Sequence, residues 1–125
     1  QEADSVEKTV YLSLLLDFYG ELLTEKQREY AELYYNENLS LGEIAENDGI
    51  SRQAVRESLL RAETVLRSTE DKTGLVERHN RLLAQIDEAE ALLAQVGKWN
   101  TEHRNDPELL SLCRRMQAKL DEMRL

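Results

Sequence analysis

Between Ser40 and Arg67 the chain reads SLGEIAENDGISRQAVRESLLRAETVLR, and its apolar positions form two helical sets separated by a break. In the first set Leu41, Ile44 and Ala45 recur at the i, i+3, i+4 spacing of one helix face. Ser40 precedes them as an N-cap, and Glu43 three residues on completes a capping box. Asn47, Asp48 and Gly49 interrupt the pattern, and Gly49 can turn through positive φ without a Cβ clash. Ile50 is expected to return the chain to the core, and Ser51 to cap a second helix. That helix buries Val55, Leu59, Ala62 and Leu66 on one stripe and leaves Arg52, Gln53, Arg56, Arg61 and Arg67 outside it.

This is the pattern of a helix-turn-helix: a small Ala45 lets the helices approach, Gly49 makes the corner, and Val55 locks the second helix on the first. In such motifs the second helix enters the DNA major groove with its N-terminal residues at the base edges. Arg52, Gln53 and Arg56 have matching chemistry, since arginine pairs bidentately with guanine and glutamine with adenine. Arg61 and Arg67, farther along, suit phosphates or carboxylates of the body. Glu57 shares the exposed face, and Ser51 is expected to cap the helix, with room for a phosphate contact. The alternative is a plain helical hairpin whose arginines are only solvated.

The rest of the chain also reads as helix, giving an all-α fold of about six helices over 6–19, 24–36, 40–47, 51–69, 73–96 and 107–124. Residues 1–5 are expected to be a disordered N-terminus, 6–70 a helix-turn-helix domain, and 71–125 a C-terminal helical arm. In the first helix Val10, Leu14 and Phe18 with Tyr11 and Leu15 suggest a broad apolar face. The run Leu14–Leu15–Leu16 is apolar nearly all round, which implies deep burial or a subunit contact. Thr24 and Gln27 form a second capping box, and Tyr30, Leu33 and Tyr34 point inward. Beyond Glu70, Thr73 is read as the cap of a long helix in which Leu75, Leu82, Ile86, Ala89, Leu93 and Val96 follow a heptad, with His79 at a seam position. A loop over residues 97–105, anchored by Trp99, leads to Asp106–Pro107 as N-cap and first turn of the last helix. That helix carries Leu109, Leu112, Met116, Leu120 and Met123 on one face.

The stretch LTEKQREYAELYYNENLSLGEIAENDGISRQAVRESLLRAE resembles the YlxM family of small bacterial proteins. Phe18–Tyr19, Leu22 to Gln27, Tyr34–Tyr35, Glu43–Ile44–Ala45, Ser51 to Val55 and Arg61–Ala62–Glu63 carry the likeness, over about residues 8 to 70. Ser51, Val55, Leu59, Arg61–Ala62 and Leu66–Arg67 are also similar to the fourth region of sigma factors. The resemblance implies a winged-helix-like head of the sigma region 4 type and a DNA-binding role in transcription regulation; the position of the second helix itself makes Ser51, Arg52, Gln53, Arg56, Glu57 and Arg61 the expected DNA-binding residues. It further implies a link to the signal recognition particle pathway, through the family's gene neighbourhood. It implies no enzymatic activity.

Charge complicates the DNA reading. The net charge is −9, and nucleic-acid affinity rests largely on cations that neutralise phosphates. Locally the balance reverses: Arg52, Arg56, Arg61 and Arg67 stand against Glu57 and Glu63, a surplus of two positive charges. A basic helix on an acidic body permits specific docking and suppresses loose binding. It suits equally an acidic interaction module that binds a basic component, protein or RNA, of the signal recognition particle. One cysteine, Cys113, fits a reducing cytoplasm. No apolar run reaches membrane-spanning length. No cofactor loop or metal-ligand spacing is present, so no cofactor is expected and the chain is read as a non-enzyme. The apolar first helix and the heptad face together suggest a homodimer, which would set two recognition helices about 34 Å apart.

Overall fold

A computed structural model describes residues 2–124, with side chains from residue 6 onward. Six α-helices follow in order: α1 (Glu2–Tyr19), α2 (Glu25–Ala31), α3 (Leu41–Asp48), α4 (Arg52–Thr73), α5 (Leu75–His103) and α6 (Pro107–Met123). Among the described residues there is no strand, so the fold is all-α and carries no β wing. Helix α1 starts at Glu2, so the stretch expected to be disordered is helical from its second residue; Gln1 lies outside the described residues. The chain divides after Val76 into two compact units. The boundary lies beyond Glu70 because Val76, 1% exposed, belongs to the core of the first unit.

The first unit is built on α4, which touches α1, α2 and α3. Its buried stripe is Val55, Leu59, Ala62 and Leu66, as the spacing required. Ile44 and Ala45 from α3, Tyr30 and Ala31 from α2, and Leu12, Leu15, Leu16 and Tyr19 from α1 complete the core. The α1 face is rotated from the one expected. Leu12, Leu15, Leu16 and Tyr19 form the inward i, i+3, i+4, i+7 row, while Val10 and Phe18 stand out in solvent, with Val6 beside them. A run with leucines on every side gives periodicity no purchase, and the better fit to α4 decides.

Helix α2 closes with a π-helical turn, Glu32–Asn36, in which the Glu37 N–H reaches back to the Glu32 carbonyl at 3.1 Å. This wider turn carries Tyr34 and Tyr35, whose rings meet edge to face at 5.1 Å. At the far end of α4, Gly74 (φ 63°) takes the left-handed conformation and caps the helix with its N–H on the Glu70 carbonyl, 2.8 Å. Thr73 therefore ends α4 rather than opening α5, though its Oγ1 still accepts the Leu75 N–H at 3.3 Å. Below it the buried Glu70 carboxylate accepts the Tyr19 hydroxyl (2.6 Å) and the Val76 N–H (3.0 Å), tying α1, α4 and the start of α5 together.

The second unit is the hairpin of α5 and α6. The inward row of α5 is His79, Leu83, Ile86, Glu90, Leu93, Gly97 and Asn100, alternating three and four residues. It keeps His79, Ile86 and Leu93 of the expected heptad but not Leu82 or Val96, which are 40% and 45% exposed; Leu75, at the head end, is exposed too. The loop expected over residues 97–105 is largely helix, because α5 continues to His103 and Asn100 is its last inward residue. Asn100 holds the reversal: its side chain donates to the Asp106 carbonyl and accepts the Asp106 N–H, each at 3.0 Å. Trp99 accordingly stands on the helix, half exposed, with the His103 ring stacked on it at 4.6 Å. Asp106 caps α6 through the Glu108 N–H, and Pro107 fills the first turn. Gln117 and Arg124 both bond Glu90, which the Arg124 guanidinium, above all, holds below the usual carboxylate range.

Candidate nucleic-acid interface

The geometry of the α3–turn–α4 motif follows from local chemistry. Ser40 accepts the Glu43 N–H at 3.1 Å, and the Glu43 carboxylate accepts the Ser40 N–H at 3.2 Å, so the capping box is complete. Gly49 (φ 67°) ends α3, and the Ile50 N–H bonds the Ala45 carbonyl at 3.1 Å. Ile50 itself is 37% exposed; the corner is held by backbone bonds, not by its side chain. Ser51 then accepts the Ala54 N–H at 3.1 Å and starts α4.

A lock on the turn was not legible in the sequence. Asp48, the last residue of α3, receives the Tyr30 hydroxyl and an ion pair from Lys26 at 3.2 Å. The Tyr30 bond first, and Lys26 second, hold the Asp48 carboxyl below its ordinary value. A three-residue set on two helices has no periodic signature, and Asp48 read simply as a helix stop.

Ser51, Arg52, Gln53, Arg56, Glu57 and Arg61 all lie exposed on the first three turns of α4 or at its cap. Among the described residues, Arg52, Arg56 and Arg61 enter no ion pair. Arg52 lies across Gly42 at the start of α3, its Nε within van der Waals reach of the space a Cβ would fill. Gln53 donates to the Glu57 carboxylate at 3.4 Å, so the one acid on this face already has a neutral partner. Arg67 is turned to the body: it meets Glu63 at 2.9 Å and lies over the Tyr11 ring at 5.6 Å. Lys8 reaches the same Glu63 at 3.5 Å. The acid next along the helix is thus neutralised from two sides, and the exposed start of α4 is left with a cationic surplus.

Arg56 also borders a half-open hollow of about 280 Å³ between α1, the π-turn and α4, lined by Lys8, Tyr34, Tyr35 and Leu60 among others. Burial, then the nearby Glu63, pushes the Tyr35 hydroxyl up to about 12, so it stays a neutral hydrogen-bond donor through the physiological range. This aromatic and basic flank was not anticipated, although the paired tyrosines and Lys8 are visible in the sequence.

Among the described residues no group of His, Cys, Asp and Glu is placed to hold a metal ion. Cys113 is buried in α6, and no helix of the described residues is long and apolar enough to cross a membrane.

Residues 6–102 match a family described as "Putative helix-turn-helix protein, YlxM / p13 like". A UPF0122 protein of Thermoanaerobacter sp. (strain X514) is 40% identical over 116 residues, spanning 93% of this chain and 96% of its own. Another, of Symbiobacterium thermophilum, is 49% identical over 82 residues, 66% of this chain and 77% of the relative. A third, of Desulforamulus reducens, is 53% identical over 70 residues, 56% of this chain and 60% of the relative.

Proposed function

This chain belongs to the YlxM / p13-like helix-turn-helix family, and on that premise we propose that it is a DNA-binding regulator of transcription, acting in the cytoplasm as a homodimer. Helix α4 enters the major groove. Arg52, Gln53 and Arg56 read base edges from its first turn and a half, Ser51 lies nearest the phosphates, and Arg61 meets the backbone beside Glu57.

The observation that carries this reading is that Arg52, Arg56 and Arg61 are exposed and, among the described residues, without an ion pair, on a helix whose opposite side is buried. Arginines that served only the fold would resemble Arg67, which is bound to Glu63 and Tyr11. The acidic remainder of the molecule works against non-specific binding, so affinity depends on these few contacts and on the right sequence. Selection of a bound duplex from a random library, followed by fluorescence anisotropy with Arg56→Ala, tests the proposal. Loss of about 1–3 kcal/mol on the selected site, with discrimination relaxed at one base pair, is the expected result.

The net charge of −9 favours a second reading. In it the chain is an acidic module for a basic protein of the signal recognition particle. A pull-down from cell extract with and without nuclease separates the two, since a protein partner survives nuclease and a nucleic acid does not.

A further inference from the structure

The α5–α6 hairpin has a second apolar face, and the fold of the single chain leaves it open. Beside the inward row of α5 runs another three-four row, Leu82, Gln85, Ala89, Leu92, Val96 and Trp99. Its large apolar members are 40% to 63% exposed. On α6, Leu112, Met116 and Met123 fall on one stripe and are 45%, 57% and 51% exposed. Helical phase puts both rows on the same side of the hairpin. The groove between them, about 410 Å³, is floored by Ala89, Leu93, Leu112, Met116 and Leu120. A helix with apolar residues on two adjacent seams is built to touch two neighbours, and here α6 supplies only one.

We infer that this face is the dimer interface, and that a second copy of the hairpin closes it into a four-helix bundle. The rims of the face identify the occupant. Glu88 lies along its α5 edge, level with Arg115 and Lys119 on its α6 edge, where Lys119 also meets Glu122 of its own chain at 3.4 Å. A two-fold axis parallel to the helices sets the α5 of each copy on the α6 of the other. Glu88 of one copy then meets Lys119 and Arg115 of the other, twice. In the opposite arrangement, α6 on α6, Arg115 and Lys119 would face their own copies. The first arrangement gives the up-down-up-down order of simple bundles. A face ~25 Å long, the length of α6, and two helices or ~20 Å wide buries at least ~1,000 Å² over both copies, which reaches the size of a specific interface. The inference stands whether or not α4 binds DNA.

Sedimentation equilibrium of the full chain should give the mass of two copies at micromolar concentration. Val96→Glu and Met116→Lys, both at exposed positions, should each weaken association at least tenfold while leaving the far-ultraviolet circular dichroism unchanged. Glu88→Arg should also weaken it, and mixing that variant with an Arg115→Glu/Lys119→Glu chain should restore a mixed dimer. The charge pair keeps the test decisive if Val96→Glu perturbs folding. A wild-type monomer, a dimer indifferent to Val96→Glu and Met116→Lys, or no rescue on mixing would each overturn the inference.

Discussion

Replacing Glu70 with alanine should destabilise the first unit selectively. The carboxylate is 8% exposed and accepts hydrogen bonds from the Tyr19 hydroxyl and the Val76 N–H. Bonds to a charged group contribute about 1.5–3 kcal/mol each, and a buried donor left unpaired costs about 1–3 kcal/mol. Tyr19 keeps a partner in Thr73 Oγ1 at 2.5 Å, so its loss is partial. The Val76 N–H, on a residue 1% exposed, has no evident replacement and would carry most of the penalty. The net cost is then about 2–4 kcal/mol, or a midpoint lowered by roughly 10–20 °C for a unit of this size. Glu70→Gln retains an acceptor without the charge and should cost about 1 kcal/mol. All five tyrosines precede Gly74 and the single tryptophan, Trp99, follows it. Tyrosine near-ultraviolet dichroism therefore reports on the first unit and Trp99 fluorescence on the second during urea unfolding. The Tyr19→Phe/Glu70→Ala double variant should depart from additivity by more than about 0.5 kcal/mol. If Glu70→Ala shifts the tyrosine transition by less than about 0.5 kcal/mol, the carboxylate does not hold these helices together.

Three further outcomes follow from the same structure. Gly49→Ala meets no neighbour within 4 Å, so its cost should be only that of a left-handed backbone, about 1–2 kcal/mol, measurable by urea titration. Asp48 has a depressed carboxyl, so its contribution is complete above the ordinary carboxylate value and is lost as pH falls through the lower folded one. Asp48→Asn should accordingly lower the midpoint at neutral pH and flatten the acid limb of the stability profile; an unchanged acid limb would contradict the Tyr30–Asp48–Lys26 lock. An absorbance titration at alkaline pH should show a last phenolate forming at about 12 and missing from Tyr35→Phe.

How far the sequence could be read depended on how sparse the apolar positions were. In α4 the row Val55, Leu59, Ala62, Leu66 is bracketed by charges, so only one face can be buried, and it is the one observed. Helix α1 offers leucines in every direction, and the choice of Leu12, Leu15, Leu16 and Tyr19 is made by the surface of α4. In α5 two seams lie side by side and share no charged divider; the expected heptad mixed residues of both. Gly97 read as a break, but a glycine costs a helix only about 1 kcal/mol, and Leu93 and Asn100 packed on either side of it outweigh that. Of the candidate interface, the exposed Arg52, Gln53 and Arg56 were legible because they lie off the packed stripe. The groups that hold it in place, Glu70, Asp48 with Tyr30 and Lys26, and Lys8 on Glu63, were not. Isolated charges read as solvated surface until the chain brings their partners to them.

The central claim is that the exposed start of α4 reads DNA, and its most direct test is anisotropy on a selected duplex at fixed salt. Wild type should bind that duplex well above a scrambled one. Arg52→Ala and Arg56→Ala should each reduce specific affinity by about 1–3 kcal/mol with the tyrosine unfolding transition unmoved. Arg61→Ala should weaken all sequences alike and shrink the salt slope by about one. If no duplex is ever selected, or if Arg52→Ala and Arg56→Ala leave binding unchanged, α4 is not a recognition helix.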